Sequence, residues 1–148
     1  MPTTALPEQW ISFRLHRETY AQRIASVKEV IDYRTPVPVP GAPGGVEGVL
    51  NIRGEVITVI SGHHLVEAPL PDEREALRIV IVEGTEERIG VVVDAVEEIV
   101  TLPSEAIEPV DDALRTTLML GTARRQEQLL ILVDLAAGCA AAAAGVTG

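Results

Sequence analysis

Short runs in which apolar and polar residues alternate recur along most of the chain and predict β-strands. Residues 11–15 read Ile-Ser-Phe-Arg-Leu, which is the period of a strand with one buried face. Apolar stretches joined by glycine-containing turns follow in residues 46–60 and 78–93, and a last pair of strands spans residues 118–133. The sequence has no long amphipathic helical period with caps. The pattern predicts a mainly β protein with two small barrel-like halves and short helical turns.

Interruptions of this pattern define the predicted organisation. Four prolines and three glycines between residues 36 and 45 predict a stiff, irregular connection. Residues 69–77 are polar and contain two prolines and three acids, so they are the predicted junction between the halves. We predict an N-terminal tail (1–9), a first barrel subdomain (10–68), a connecting loop (69–77), a second barrel subdomain (78–137) and an alanine-rich C-terminal tail (138–148).

The turn at Arg53-Gly54 is the most informative local feature. It lies between two apolar stretches, and its glycine supplies the positive φ that a two-residue hairpin needs. Such a turn holds a permanently charged guanidinium away from a rigid ladder, where it can bind a carboxylate or carbonyl of a partner. Glu29 lies between Val27 and Ile31 on one face of a predicted strand, so its carboxylate needs a partner. We hypothesise that Arg53 is that partner.

The net charge of −10 over 148 residues argues against two classes of partner. A surface this acidic, with no run of lysine or arginine, repels nucleic-acid phosphates and anionic lipid. An OB-like nucleic-acid binder would need a basic, aromatic-bearing face, and only 3% of the residues are aromatic. The single cysteine, Cys139, fits a reducing cytosol, so a cytoplasmic protein is expected. Residues 129–146 are nearly all apolar but contain Asp134, which favours a buried strand and a tail over membrane insertion.

Three candidates for catalytic or metal chemistry have simpler explanations. His63 and His64 are adjacent and lack a supporting cysteine or third histidine, so a solvated loop is predicted instead of a metal site. Asp94 and Asp134 each follow an apolar strand, where acid–base work is possible but strand-ending turns and caps are commoner. Cys139 lies in the predicted mobile tail, where nothing activates a thiol. A small β-barrel enzyme using one of these residues is the rival hypothesis, and no cofactor is expected.

Short motifs spread over residues 11–135 match the pattern of a known protein family. In the first half of the chain the matching residues are Tyr20-Ala21, Val27-x-Glu29-Val30-Ile31, Pro38-x-Pro40, Ala42-Pro43, Glu47-Gly48-Val49 and Asn51-x-Arg53-Gly54. In the second half they are Gly90-Val91-Val92-Val93-Asp94-x-Val96, Ile107-Glu108-Pro109, Gly121 and Ile131-Leu132-Val133-Asp134-Leu135. In order and spacing these motifs resemble the CheW-like family of adaptors that couple chemoreceptors to a histidine kinase. Because the motifs keep one common order, chance is a poor explanation for them.

The resemblance implies two small five-stranded SH3-like β-barrels packed across a shared apolar core, without catalytic chemistry. It also implies two partners: the regulatory domain of a CheA-type histidine kinase, itself CheW-like, and the cytoplasmic tip of a chemoreceptor. Glu29 and Arg53 match functionally important positions, and Val27 and Gly48 match the receptor-facing region. The residues expected at the kinase and receptor interface are Val27, Glu29, Gly48, Asn51, Arg53 and Gly54 and, on the second-barrel side of the groove, Ile79, Val96 and Ile99.

One short segment departs from the family pattern. After the apolar strand that ends at Ile60, the family usually has Asp-Leu, often followed by a basic residue, whereas this chain has Ser61, Gly62 and His63. Without the carboxylate and the leucine, we expect a looser strand end. The departure keeps open a divergent scaffold of a non-flagellar pathway, either pilus-linked or accessory, as an alternative to the usual adaptor.

Overall fold

The computed structural model describes residues 7–84, 86–112 and 116–143. Two short helices, α1 (Gly62–Leu65) and α2 (Leu135–Ala143), and two 3-10 turns, Ile24–Ser26 and Ser104–Ala106, accompany the strands in these ranges. The strands are β1 (Glu8–Leu15), β2 (Glu18–Arg23), β3 (Val27–Asp32), β4 (Val46–Ile52), β5 (Glu55–Ser61), β6 (Arg78–Glu83), β7 (Arg88–Val93), β8 (Ala95–Leu102), β9 (Ile107–Pro109), β10 (Met119–Arg125) and β11 (Gln128–Val133).

The strands form two sheets. The six-stranded sheet has the order β8-β1-β2-β11-β10-β9, and the five-stranded sheet has the order β3-β6-β7-β5-β4. Neighbours are antiparallel except for β2 with β11 and β5 with β7, which are parallel. The prediction of a mainly β fold with two SH3-like subdomains is confirmed, and the short strand β9 makes one sheet larger than the five strands expected.

The two sheets do not correspond to the two predicted halves of the chain. The five-stranded sheet is the contiguous stretch from β3 to β7, so the predicted junction at residues 69–77 lies inside it. The six-stranded sheet combines β1 and β2 with β8 to β11. The predicted bounds 10–68 and 78–137 therefore do not separate the sheets. Alternation identifies a strand but not its hydrogen-bonding partner, and β2 pairs with β11 from near the other end of the chain.

A shared apolar core lies between the sheets, as expected. Phe13 and Tyr20 of the six-stranded sheet stack with ring centroids 5.9 Å apart, and Val91 of the five-stranded sheet packs in the same cluster. Each sheet also curls around an interior of its own, which includes Trp10 in one case and Ile79 in the other. Valine, isoleucine and leucine fill most of these interiors because their branched side chains suit pleated, buried surfaces.

The alanine-rich segment was expected to be a tail from residue 138 onwards, but α2 makes its first turns part of the core. Leu135 and Cys139 are buried in the shared core between the sheets. A Cβ added at Gly138 would lie 2.6 Å from Leu118 Cδ1, so the small residues of α2 allow a close approach. Burial raises the pKa of the Cys139 thiol to about 12, with a smaller contribution from the charge of Asp134. Cys139 is therefore a buried, inert thiol and does not lie in a mobile tail.

The strand end at Ser61-Gly62 is closely packed, which corrects the expectation of a loose one. Ser61 is the N-cap of α1, and its Oγ accepts a hydrogen bond of 3.2 Å from the His64 N–H. A Cβ at Gly62 would lie 2.4 Å from the Val92 carbonyl oxygen and 3.0 Å from Leu15 Cδ2. The serine therefore supplies the cap, and the glycine lets α1 approach β7.

His63 was predicted to lie in a solvated loop, but it is a buried residue of α1. Its Nε2 lies 3.0 Å from Asp94 Oδ1. The other oxygen, Asp94 Oδ2, accepts a hydrogen bond of 2.5 Å from the His16 N–H, and the Asp94 N–H donates to the Arg14 carbonyl over 3.0 Å. Asp94 therefore links α1 to the β1–β2 turn, across the two sheets. No sequence pattern signalled this contact, because Asp94 lies 31 residues further along the chain, on a different element.

Candidate protein-interaction surface

The β4–β5 hairpin has the tight turn that the sequence predicts. Ile52 pairs with Glu55, and the two residues between them, Arg53 and Gly54, have φ values of 53° and 82°. Positive φ at both positions is the requirement of a type I′ turn, whose twist matches the flanking strands. Asn51 Oδ1 accepts a hydrogen bond of 3.0 Å from the Gly54 N–H, so this side chain closes the turn. The hairpin presents an Arg53 side chain that is 76% exposed.

Glu29 and Arg53 form the ion pair that the sequence suggests. Glu29 lies on β3, where it is 28% exposed, and Arg53 follows β4. These strands are the two edges of the five-stranded sheet, so the pair joins edges that share no ladder hydrogen bonds. Because Arg53 is largely in solvent, the pair stabilises the fold by no more than about 1 kcal/mol. Its guanidinium keeps donors free to face a partner.

An apolar face lies next to this turn. Val49 and Asn51 of β4 pair with Thr58 and Val56 of β5, and these residues alternate with the ones that point into the barrel interior. Val37 adds to the face through a two-way backbone bridge to Val49, with N···O distances of 2.9 Å in both directions. We call these five residues the outer face of β4–β5. Val37 and Val56 are each 64% exposed, so the bridge residue and the β5 residue together present apolar surface to solvent.

A groove of about 360 Å³ borders the outer face of β4–β5. Residues 39–43 form one wall, and Val46, Val49 and Thr58 complete the lining, which is mainly apolar. The wall is held by two short turns, since the Ala42 N–H donates to the Val39 carbonyl and the Val46 N–H donates to the Pro43 carbonyl, each over 3.2 Å. Such concave apolar surfaces are suited to inserted side chains of a partner.

Val27 and Val96 lie at the rim of the shared core, one on each sheet. Both are partly buried, and both pack against the cluster that joins the sheets. Ile99 lies further along β8 and is 56% exposed. The fold therefore brings Val27 of β3 and Val96 of β8 to the same cluster, although they are far apart in sequence.

Two residues expected at the interface are not accessible. Ile79 is fully buried in the interior of the five-stranded barrel, so it has no surface to offer a partner. β6 is apolar on both faces, and its pattern could not show which face was covered. Gly48 is also buried, and a Cβ there would lie 2.2 Å from the Val37 carbonyl oxygen. Its role is to let the segment around Val37 cross β4 closely.

A polar cluster that the sequence did not reveal fixes the long connection between β5 and β6. Arg74 Nη1 donates to Glu47 Oε1 over 2.8 Å, and the Tyr33 hydroxyl donates to the same oxygen over 3.2 Å. The hydrogen bond to Tyr33, supported by the charge of Glu47, raises the pKa of the Arg74 guanidinium above its ordinary value. The negative charge of Glu47, beside the outer face of β4–β5, is therefore balanced by the guanidinium of Arg74. The three residues are far apart in sequence, and no spacing rule connects them.

The acidic residues considered for catalysis have structural roles. Asp134 Oδ1 accepts a hydrogen bond of 3.1 Å from the Ala137 N–H at the start of α2, and Asp94 joins α1 to the β1–β2 turn. In the described ranges no group of three or more His, Cys, Asp or Glu side chains is placed to hold a metal ion. Nor does any helix within those ranges have the length and apolar character needed to cross a membrane.

Comparisons with known proteins agree with this architecture. The model of the CheW-like domain family matches residues 9–141. The chain is 30% identical over 134 residues to the chemotaxis protein CheW of Treponema pallidum, a match that covers 86% of this chain and 79% of that protein. It is 27% identical over 130 residues to the chemotaxis protein CheW of Bacillus subtilis, covering 86% and 83%.

The fold agrees with a solved structure as well. The crystal structure of the scaffolding protein TtCheW from Thermoanaerobacter tengcongensis superimposes with a TM-score of 0.79 at 29% sequence identity, covering 87% of this chain and 90% of that one. The family model matches most of the chain, and the two barrels and the shared core are consistent with a CheW-like domain. The chain therefore belongs to the CheW-like domain family of chemotaxis scaffold proteins.

Proposed function

We propose that this protein is a non-enzymatic adaptor that couples chemoreceptors to a CheA-type histidine kinase in a cytoplasmic signalling array. The observation that carries the proposal is the β4–β5 turn. An arginine in the left-handed region costs about 1 kcal/mol or more in backbone strain, which glycine or asparagine would avoid. The fold holds it there with Asn51 and Glu29, and the exposed guanidinium is directed at solvent.

The kinase contact is proposed at the outer face of β4–β5 and its groove. Exposed Val37 and Val56 offer apolar area at the centre of such a contact. The regulatory domain of a CheA-type kinase, itself CheW-like by the resemblance, would present a barrel surface of similar kind. The net charge of −10 favours a partner surface with cationic groups around its apolar centre.

The receptor contact is proposed at the rim of the shared core. Val27 and Val96 supply partly buried apolar surface on the two sheets, and Ile99 supplies an exposed side chain. Glu29 of β3 and Arg53 of the β4–β5 turn meet between the two edge strands, where they can bind polar groups of a helical receptor tip. Single contacts of this size are expected to be of the order of micromolar in Kd, and multivalency stabilises the array.

A divergent scaffold of a non-flagellar pathway is the second candidate. The observation that favours it is the strand end at Ser61, Gly62 and His63, which uses a serine cap and a buried His63–Asp94 contact where the family usually has Asp-Leu. The same two surfaces would act in either pathway, with different partners.

Calorimetric titration against the regulatory domain of the CheA-type kinase and against a receptor-tip fragment of the same organism tests the proposal. The wild-type protein is expected to bind both. Arg53→Glu is expected to lose the receptor fragment and Val56→Asp to lose the kinase domain, while Arg17→Glu, which reverses an exposed charge in the β1–β2 turn, binds both normally. Failure of the wild-type protein to bind either partner would overturn the adaptor role.

A further inference from the structure

Helix α1 contacts, from outside the groove, the loop that forms one wall of the groove. Residues 39–43 form the wall, and Gly44 and Gly45 connect it to β4. The Ser61 N–H donates to the Gly45 carbonyl over 2.8 Å, which anchors the end of the loop to β5. The second contact at this point is the imidazole ring of His64, which lies outside the groove lining.

His64 packs directly on the two glycines. A Cβ added at Gly45 would lie 2.4 Å from His64 Cδ2 and 2.8 Å from Cγ, and one at Gly44 would lie 3.7 Å from Cε1. The ring therefore covers the loop backbone at Gly45, where only glycine leaves room, while a Cβ at Gly44 would make an ordinary van der Waals contact. Gly45 also has a φ of +94°, a conformation that L side chains rarely adopt.

The helical turn that carries the ring is held in place from behind, while His64 itself is an exposed residue. The His64 N–H donates to the Ser61 cap, and the preceding residues of α1 are buried, with Gly62 against Val92 and His63 bonded to Asp94. A chain of contacts thus runs from the junction of the two sheets through α1 to the groove wall. A wall fixed in this way loses little conformational entropy when a partner binds.

We propose that His64 is a positioning residue of the groove, which holds the wall of residues 39–43 in the conformation that receives the kinase regulatory domain. This inference rests on the proposed function, because the groove is continuous with the outer face of β4–β5, where the kinase contact is proposed. His64 acts through the loop, and it needs no contact with the partner. A flat ring is the property required, so phenylalanine should replace it and alanine should not.

The test compares His64→Ala and His64→Phe in calorimetric titrations with the kinase regulatory domain. We expect His64→Ala to weaken binding about tenfold, which corresponds to about 1.4 kcal/mol, because a mobile wall must be ordered on binding. His64→Phe should bind within about twofold of the wild-type protein. Val39→Asp, in the wall itself, should abolish binding.

The possible outcomes separate this inference from the proposed function. If Val39→Asp abolishes binding while His64→Ala leaves it unchanged, the groove is a kinase contact and His64 does not position it. An equal loss of binding in His64→Ala and His64→Phe would also overturn the inference, since the ring would then not be the support. If the wild-type protein does not bind the kinase domain, the proposed function fails, and this role of His64 fails with it.

A double-variant cycle checks the contact without any partner. Gly45→Ala is expected to destabilise the wild-type protein more than it destabilises His64→Ala, because removing the ring removes the clash while the φ strain stays in both backgrounds. Gly41→Ala is the matched control, since Gly41 has a φ of +78° and, among the described residues beyond its chain neighbours, nothing lies within 4 Å of an added Cβ. It should cost the same in both backgrounds. Additive effects of Gly45→Ala and His64→Ala on the free energy of unfolding would contradict the contact.

Discussion

Glu29 and Arg53 pair across the opening between the two edge strands of the five-stranded sheet. Because β3 and β4 exchange no ladder hydrogen bonds, this pair is a link between edges that the backbone leaves separate. The link is polar and solvent-exposed, so it can open without disturbing the barrel interior beneath it. A site of this kind can exchange its internal partner for an external one at little cost in stability.

Replacement of Arg53 by asparagine should therefore abolish binding of the receptor fragment without lowering the stability of the fold appreciably. Asn-Gly is a preferred pair for a type I′ turn, and relief of strain at a φ of 53° offsets loss of the exposed ion pair. We expect the free energy of unfolding to stay within about 1 kcal/mol of wild type or to rise, as measured by urea denaturation. Receptor-fragment binding should be lost. A loss of stability above about 2 kcal/mol would show that the pair contributes more than its exposure indicates.

The Glu29–Arg53 coupling itself should be small. A cycle of Glu29→Ala, Arg53→Ala and the double variant is expected to give about 0.2–1 kcal/mol, which decreases at high salt. Equilibrium unfolding at two ionic strengths provides the measurement. The pair of Arg125 with Glu98 is the matched control, since both side chains are exposed and neither forms another salt bridge among the described residues. A salt-independent coupling above 2 kcal/mol would mean that the pair is effectively buried.

Asp94→Ala should be among the more damaging single changes. It leaves the buried His63 ring without a partner and frees the His16 N–H, so we expect a loss of about 2–4 kcal/mol in the free energy of unfolding. Asp32→Ala serves as the comparison, because Asp32 has an exposed carboxylate that pairs with Arg78 on the surface, and its loss should cost less than about 0.5 kcal/mol. Equal effects of the two variants would be inconsistent with the linking role of Asp94.

Gly48→Ala should be far worse than Gly54→Ala. A Cβ at Gly48 would lie 2.2 Å from the Val37 carbonyl oxygen, whereas at Gly54 no described residue other than the chain neighbours would come within 4 Å. Both glycines have positive φ, but 82° at Gly54 is near the left-handed region that L residues can adopt and 146° at Gly48 is not, so strain and clash both fall more heavily on Gly48. Thermal unfolding should show a larger fall in Tm for Gly48→Ala, together with faster amide exchange at Val37 and Val49. Similar Tm values would argue against the close crossing.

Cys139 should resist thiol reagents until the protein unfolds. Its pKa of about 12 leaves almost no thiolate at pH 8, and the side chain is buried. In the unfolded chain the thiol ionises near its ordinary pKa of about 8.5, so the unfolded state releases its proton first. Stability should therefore fall between about pH 8.5 and pH 12, by roughly 1 kcal/mol per pH unit.

Cys139→Ala provides the control for that slope. It removes the titrating group, so its free energy of unfolding should vary less with pH above pH 8.5 than that of the wild-type protein. Labelling with a disulfide reagent at pH 8, with and without urea, measures the accessibility. Rapid labelling of the native protein would contradict the burial of α2 against the sheets.

Local features of this fold could be predicted from the sequence, and long-range ones could not. The Arg53-Gly54 turn was predictable because its chemistry lies in two adjacent residues. The Glu29–Arg53 pair was predictable because a carboxylate between apolar neighbours needs a cation. The parallel pairing of β2 with β11 was not, because alternation contains no information about the partner strand.

Burial was ambiguous wherever both faces of a strand are apolar. Ile79 was expected at the surface and lies in the barrel interior, while Val56 looks like a core residue and is exposed. A strand such as β5, with valine or isoleucine on both faces, gives no sign of which face a neighbouring element covers. His63 was missed for a related reason, since its carboxylate partner lies on a different element.

The contiguity of the five-stranded sheet has a consequence for how the protein is made. Residues 27–93 contain all of its strands, so this barrel can close while the rest of the chain is still being synthesised. The other sheet must wait, because β11 inserts between β2 and β10 and is synthesised after both of them. A chain truncated before β11 would therefore present the proposed kinase surface without the completed receptor rim. Such a chain would bind the kinase but would not couple it to a receptor.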